Sequence, residues 1–159
     1  SVFEHIEEAQ KVIKEVFRVL KRGGIFAFTV PTIKMREYLL GPRILKRLGF
    51  ENLAEKYWQL HTRSFKHVNL KPKSWWLKKL KKAGFDVIRK EGTLSPTLLR
   101  LHEAFLISAF PSQFGKLFFG KRLIMFAGVR SQLLPIFFER FVYIDKNSDI
   151  NIFFVARKP

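Results

Sequence analysis

The chain contains no cysteine, which excludes disulfides, thiolate metal sites and thiol nucleophiles, and leaves the redox compartment undefined beyond compatibility with a cytosol. Long apolar runs are also missing. Nothing approaches the roughly 18 uninterrupted apolar residues of a membrane-spanning helix, and Glu4, Glu7 and Glu8 stand where a signal peptide would be basic and then apolar. The expected location is cytoplasmic, with a peripheral seat at a membrane as the variant. Acidic residues are scarce as well: 13 against 30 Lys+Arg, a formal net charge of +17. Such an excess attracts nucleic acid, an anionic membrane surface or an acidic substrate. The cations are scattered, so charge alone does not choose among these. Four histidines with no cysteine and no carboxylates paired at metal-ligand spacing offer no metal site.

What is present argues for one folded domain. Hydrophobic residues make up 47% and aromatics 15% of 159 positions, enough for a core and too many for disorder. No internal repeat and no low-complexity tract divides the chain. It opens on Ser1-Val2-Phe3 without a cap or lead-in, and reads as a cut end.

From Glu4 to Arg22 the apolar residues Phe3, Ile6, Ala9, Ile13, Val16, Phe17 and Leu20 recur at helical spacing. Acids open this segment and Arg18, Lys21 and Arg22 close it, matching the helix dipole, before Gly23-Gly24. Ile25 to Val30 then forms a short apolar run ended by Pro31, as expected of a strand buried on both faces. Helix, double glycine and strand together make an α/β unit.

Between Thr32 and Lys66 the pattern loosens into short basic amphipathic helices, Arg36 to Leu40 and Ile44 to Leu60, broken by Gly41-Pro42 and Gly49. Residues 32–66 are read as an insertion or lid. Pro72 opens a second helix with Trp76, Leu80 and Ala83 on one face, and Gly84 ends it. Phe85 to Glu91 forms the next strand and Ile150 to Ala156 the last. Residues 94–143 are read as a helical, Phe-rich, basic insertion punctuated by Pro96, Pro111, Gly115, Gly120, Gly128 and Pro135. That composition suits a surface lying on anionic lipid or gripping a greasy acceptor; it suits additional core equally. Trp75-Trp76 beside lysines could stack single-stranded nucleic acid, but Trp76 falls on the core face, which makes nucleic acid the disfavoured partner.

Ser1 to Pro31, SVFEHIEEAQKVIKEVFRVLKRGGIFAFTVP, resembles class I S-adenosylmethionine-dependent methyltransferases of the type 11 kind, where strand four ends, a helix crosses and Gly-Gly leads into strand five. FEHI, RVLKRGG and FTVP carry the likeness. His67-Val68-Asn69 and the helix ending Ala83-Gly84-Phe85-Asp86-Val87 resemble the family's sixth unit, and Asn151 to Pro159, NIFFVARKP, its closing strand. The resemblance implies the C-terminal part of a Rossmann-like methyltransferase sheet. Three strands would lie in the order five, seven, six with flanking helices, the last strand antiparallel, plus helical insertions.

The family's glycine-rich cofactor loop and the acidic residue that binds ribose have no counterpart among these residues; Gly23-Gly24 ends a helix rather than opening one. The resemblance therefore implies that S-adenosylmethionine is held mainly by a missing N-terminal half of the same domain, and that the isolated chain is inactive. Ser1, Val2 and His5 are its candidates on the cofactor side. Pro31, His61, His67 and Asn69 are the candidates for contact with the acceptor. A histidine at position 67 could orient the acceptor or remove its proton, or it could simply cap structure. His102, on an apolar stretch, is expected to be packed. Methyl transfer to a small-molecule or lipid-linked acceptor is the function so implied, and a non-enzymatic basic module binding anionic membrane or nucleic acid is the alternative.

Overall fold

A computed structural model of the chain describes residues 2–105, 139 and 143–159. It opens with a 3-10 turn, Phe3–His5, followed by α1 (Ala9–Val19), β1 (Ile25–Pro31), α2 (Met35–Tyr38), α3 (Leu40–Arg47), α4 (Glu51–Ser64), α5 (Lys73–Ala83) and β2 (Asp86–Gly92). Helical residues 96–105, here α6, come next, and β3 (Asn151–Arg157) closes the chain.

The three strands form one sheet in the order β1-β3-β2. β3 is antiparallel to both neighbours, with Ile25 opposite Arg157 and Pro31 opposite Asn151 on one side, and Asp86 opposite Arg157 and Gly92 opposite Ile152 on the other. β1 and β2 are therefore parallel to each other, and both end beside the start of β3. This is the order and direction expected of strands five, seven and six.

Period-2 alternation sends Ile152, Phe154 and Ala156 of β3 to one face. There they join Ile13 of α1 and Trp76 and Leu80 of α5 in the main core. A second cluster of Met35, Leu39, Trp58, Leu99 and Ile150 lies under the helices that follow β1. Among the described residues no helix is long and apolar enough to cross a membrane.

Four expectations need correction. The first helix does not run from Glu4 to Arg22. The chain turns at Phe3–His5, is extended at Ile6, and becomes helical only from Ala9. The break lets Phe3 pack among Phe26, Phe28 and Trp76, with ring centroids 4.8 to 5.8 Å away, and lets the Glu4 carbonyl accept from the Val68 and Asn69 N–H groups at 2.8 and 3.0 Å. These tertiary contacts outweigh helical propensity in so short a stretch. At the other end, Lys158 Nζ donates to the carbonyls of Phe17 and Leu20, both at 2.7 Å, and satisfies the terminal acceptors of α1.

Second, β1 is not buried on both faces. Phe26, Phe28 and Val30 face the core while Ile25 and Ala27 are exposed, because no described element covers that side. Third, Gly41-Pro42 does not break a helix. It forms the first turn of α3, where a proline N–H is dispensable. Fourth, His102 is exposed rather than packed. The boundary expected at Gly49 does hold, and the Phe-rich segment read over 94–143 lies outside the described residues at 106–138 and 140–142.

Candidate functional site

Ligands in open α/β sheets sit outside the carboxyl ends of the parallel strands. β1 and β2 end on a pocket of about 450 Å³ there, with Pro31 at the end of β1, Leu94 just after β2, and Asn151 at the start of β3. Met35, Leu94, Leu98 and Leu99 give it a carbon-rich wall. His61, Phe65, His67 and His102 give it a wall of rings.

Two local devices build this ring wall. The first is the end of α4, where Lys66 adopts a left-handed φ of 53°. The His67 N–H bonds the Thr62 carbonyl at 2.9 Å and the Lys66 N–H bonds Arg63 at 3.1 Å, a Schellman termination in which lysine stands where glycine is usual. The reversal lays His67 against Phe65 (5.7 Å, stacked) and beside His61 (6.4 Å). The second device is the start of α6. Ser95 accepts the Leu98 N–H on Oγ at 3.1 Å, and Pro96 occupies the first helical position, so the helix begins at the pocket and turns Leu98 and Leu99 into it.

Polar atoms converge on this mostly apolar space. Glu4 Oε2, His61 Nδ1, His67 Nδ1 and Asn151 Oδ1 are all buried without a hydrogen-bond partner, and all four residues line the pocket. Burial, with repulsion from His67 and His102 opposing the pull of Glu103, pushes the His61 imidazole down to about 4. Burial likewise lowers His67, partly countered by Glu4. Both rings are thus neutral near pH 7, and each can accept a proton or a hydrogen bond. Among the described residues no group of side chains is arranged to hold a metal ion.

The structure brings together Pro31, His61 and His67 of the expected acceptor-side residues. Asn69 is elsewhere. It is buried, donates from Nδ2 to the Ile6 carbonyl at 3.1 Å, and borders a separate, charged groove with Glu7, Lys11 and Lys71, so its part is to tie the chain before α5 to the 3-10 turn. Among the cofactor-side candidates, Ser1 lies outside the described residues and Val2 is exposed. His5 is exposed, donates from Nδ1 to the Lys66 carbonyl at 2.9 Å, and lies 5.6 Å from the His67 ring. It braces the wall from outside.

Sequence reasoning missed Glu4 and Asn151, whose polar character matters only because the sheet carries them to the pocket. It also missed Glu103 of α6, 1% exposed. The Glu103 carboxylate accepts the Leu40 N–H on Oε2, and on Oε1 the Gly41 N–H at 2.9 Å and the Tyr57 hydroxyl at 2.6 Å. With Pro42 supplying no N–H, this one side chain caps α3. A β-carbon on Gly41 would meet the Tyr57 ring at 2.6 Å, so the close approach requires glycine.

Residues 1–28 match the family model of a methyltransferase domain. The matched segment carries the 3-10 turn, α1 and half of β1, and so includes Glu4 on the pocket wall.

Similar solved structures include phosphoethanolamine N-methyltransferase 2 of Haemonchus contortus with phosphomonomethylethanolamine and S-adenosylhomocysteine (20% identity, TM-score 0.49, covering 100% of this chain and 32% of that one). The same Haemonchus contortus enzyme with S-adenosyl-L-methionine gives 21% identity and a TM-score of 0.43 over 100% of this chain and 31% of that one. A Bacillus halodurans protein described as a methyltransferase gives 17% and 0.43, covering 99% of this chain and 66% of that one. The chain thus spans about a third of the length of the Haemonchus enzyme. No match is found among the curated proteins.

Proposed function

We propose that this chain forms the acceptor side of an S-adenosylmethionine-dependent methyltransferase site, taking a small-molecule or lipid-linked acceptor into the pocket at the ends of β1 and β2. The carrying observation is the convergence of four unpartnered buried polar atoms on a carbon-lined pocket at the strand carboxyl ends. The methyltransferase match over residues 1–28 supports the same reading.

The described residues suit an acceptor better than a nucleoside. Gly23-Gly24 is the chain's single double glycine, and both its N–H groups are committed, to the Lys158 and Lys21 carbonyls at 2.8 and 2.9 Å. It also precedes β1, at the far end of the sheet from the pocket, so it offers no cradle for a nucleotide. When bound, S-adenosylmethionine supplies an electrophilic methyl carbon on a sulfonium centre.

This chain's own residues do the rest. The leucines and Met35 exclude water, the ring wall orients a flat or apolar acceptor, and Glu4 and Asn151 accept hydrogen bonds from its N–H or O–H groups. His67, neutral and unpartnered, takes the proton the acceptor releases.

The test is transfer of tritiated methyl from S-adenosylmethionine into water-soluble and lipid extracts by this chain joined to a cofactor-binding half of the same domain that carries the glycine-rich loop, with His ring signals followed by NMR. Transfer is expected, with His67→Ala lowering kcat by about 100-fold and leaving the KM for S-adenosylmethionine within about twofold. Absence of transfer, together with His61 and His67 signals that stay unmoved by S-adenosylmethionine and by S-adenosylhomocysteine, would refute the proposal.

A further inference from the structure

The turn between α3 and α4 leaves a group of apolar side chains in water. Ile44, Leu48, Phe50 and Leu53 are between 49% and 64% exposed. They are drawn together because α3 ends at Gly49 (φ 81°), with the Gly49 N–H on the Lys46 carbonyl and the Phe50 N–H on Leu45 at 3.0 and 2.8 Å, so that α4 folds straight back. Ile44 and Leu48 are four residues apart and form one ridge of α3; Arg43 and Arg47 form the neighbouring ridge.

A groove of about 520 Å³ runs beside these ridges, and its lining holds Arg43, Lys46, Arg47 and Arg100 with no acidic residue. None of the four takes part in an ion pair among the described residues. The nearby acids are already engaged: Glu37 with Lys34, Glu55 with Arg36, and Glu103 with the start of α3. Glu51 alone is an exposed acid at the turn.

We propose that the α3–α4 turn is a docking surface for an anionic phospholipid bilayer, its cationic groove receiving headgroup phosphates while Leu48, Phe50 and their neighbours enter the acyl boundary. Cations flanking an exposed apolar ridge match both layers of such a surface. A nucleic acid would use the cations and leave the aliphatic side chains in water. A second copy of the chain in a two-fold arrangement would set four cations against the same four. The surface is separate from the pocket: it lies at the start of α4, and His61 is ten residues along that helix, roughly 15 Å away. The proposal therefore stands or falls independently of methyl transfer.

Vesicle co-sedimentation of the full chain tests it, comparing phosphatidylcholine vesicles with vesicles that also contain phosphatidylserine. Binding is expected on the anionic vesicles. Arg43→Gln with Arg47→Gln should weaken it by on the order of 25-fold at low salt, about fivefold per charge, and Phe50→Ser by about 10-fold. Lys78→Gln with Lys81→Gln, an equal loss of charge on α5, should cost less than about threefold. All these side chains are exposed, so far-UV circular dichroism should be unchanged.

Equal losses from the α3 and α5 pairs would reduce the effect to net charge and overturn the proposal. So would binding that ignores Phe50→Ser. Dimerisation abolished by Phe50→Ser without vesicle binding, or capture of single-stranded RNA but not vesicles through Arg43 and Arg47, would assign the surface to those occupants instead.

Discussion

Replacing Glu103 probes how α3 is held, and the structure fixes the order of effects. In Glu103→Gln one carboxylate oxygen becomes an amide NH₂. Whichever way that amide turns, at least one of the Leu40 and Gly41 N–H groups faces another donor. An orphaned buried donor costs about 1–3 kcal/mol, so the substitution should destabilise by about 2 kcal/mol. Glu103→Ala removes all three bonds and leaves a cavity beside the Tyr57 hydroxyl, for about 4 kcal/mol, near the upper end for point substitutions. Tyr57→Phe removes one bond and should cost about 1 kcal/mol.

Urea unfolding of the three variants would read these values directly. A second signal comes from Tyr57 itself, whose phenol is pushed well above its ordinary value by burial and then by the bond to Glu103. In Glu103→Gln, alkaline absorbance titration should show it ionising at lower pH. A loss below about 0.5 kcal/mol for Glu103→Ala, or a larger loss for Tyr57→Phe than for Glu103→Gln, would refute the capping account.

Acid should destabilise the fold through His61. Its folded value of about 4 lies below the unfolded 6.5, so between those limits the unfolded chain takes up a proton that the folded one refuses. Stability is then complete above about pH 6.5 and falls as pH drops toward 4. Discounting for solvent screening, the loss by pH 5 should be about 1–2 kcal/mol. Urea midpoints at pH 7 and 5 would check this, with a smaller difference in His61→Gln. Gly92→Ala would drive a β-carbon into the carbonyls of Asp145 and Ser148 and should cost about 3 kcal/mol by thermal unfolding. Lys158→Met should cost about 1 kcal/mol, with faster amide exchange in the last turn of α1, since two terminal carbonyls of that helix lose their donor.

The sheet was legible in the sequence because its signals are local. The strands expected at Ile25 to Val30, Phe85 to Glu91 and Ile150 to Ala156 lie within a residue of those observed, the second marked by the glycine before it rather than by its mixed apolar and charged residues, and Gly49 and Gly84 end helices with the positive φ that glycine permits. The same logic fails at Lys66, which takes the left-handed conformation without being glycine and so gave no mark of the reversal that delivers His67 to the pocket. It fails at Glu4 as well. An acid spaced like the opening of a helix becomes a buried pocket wall only because Phe3 is drawn into the core beside Trp76. Glu103 was invisible for another reason: its partners Leu40, Gly41 and Tyr57 are 46 to 63 residues away in the chain, and no periodicity encodes a contact of that kind.

The four unpartnered atoms around the pocket place a constraint on what enters it. Each buried polar group without a partner costs about 1–3 kcal/mol, and native folds keep few of them. A ligand that displaces water from this wall must satisfy the same atoms, or their desolvation cost returns in full. Glu4 Oε2 and Asn151 Oδ1 can only accept, and His61 and His67 are neutral and able to accept. The matching ligand is therefore largely apolar and carries N–H or O–H donors at its polar end. Under the proposed function, an acceptor methylated at an N–H or O–H carries one such donor fewer after reaction. The wall should consequently hold the substrate more tightly than its methylated product, which favours release after transfer.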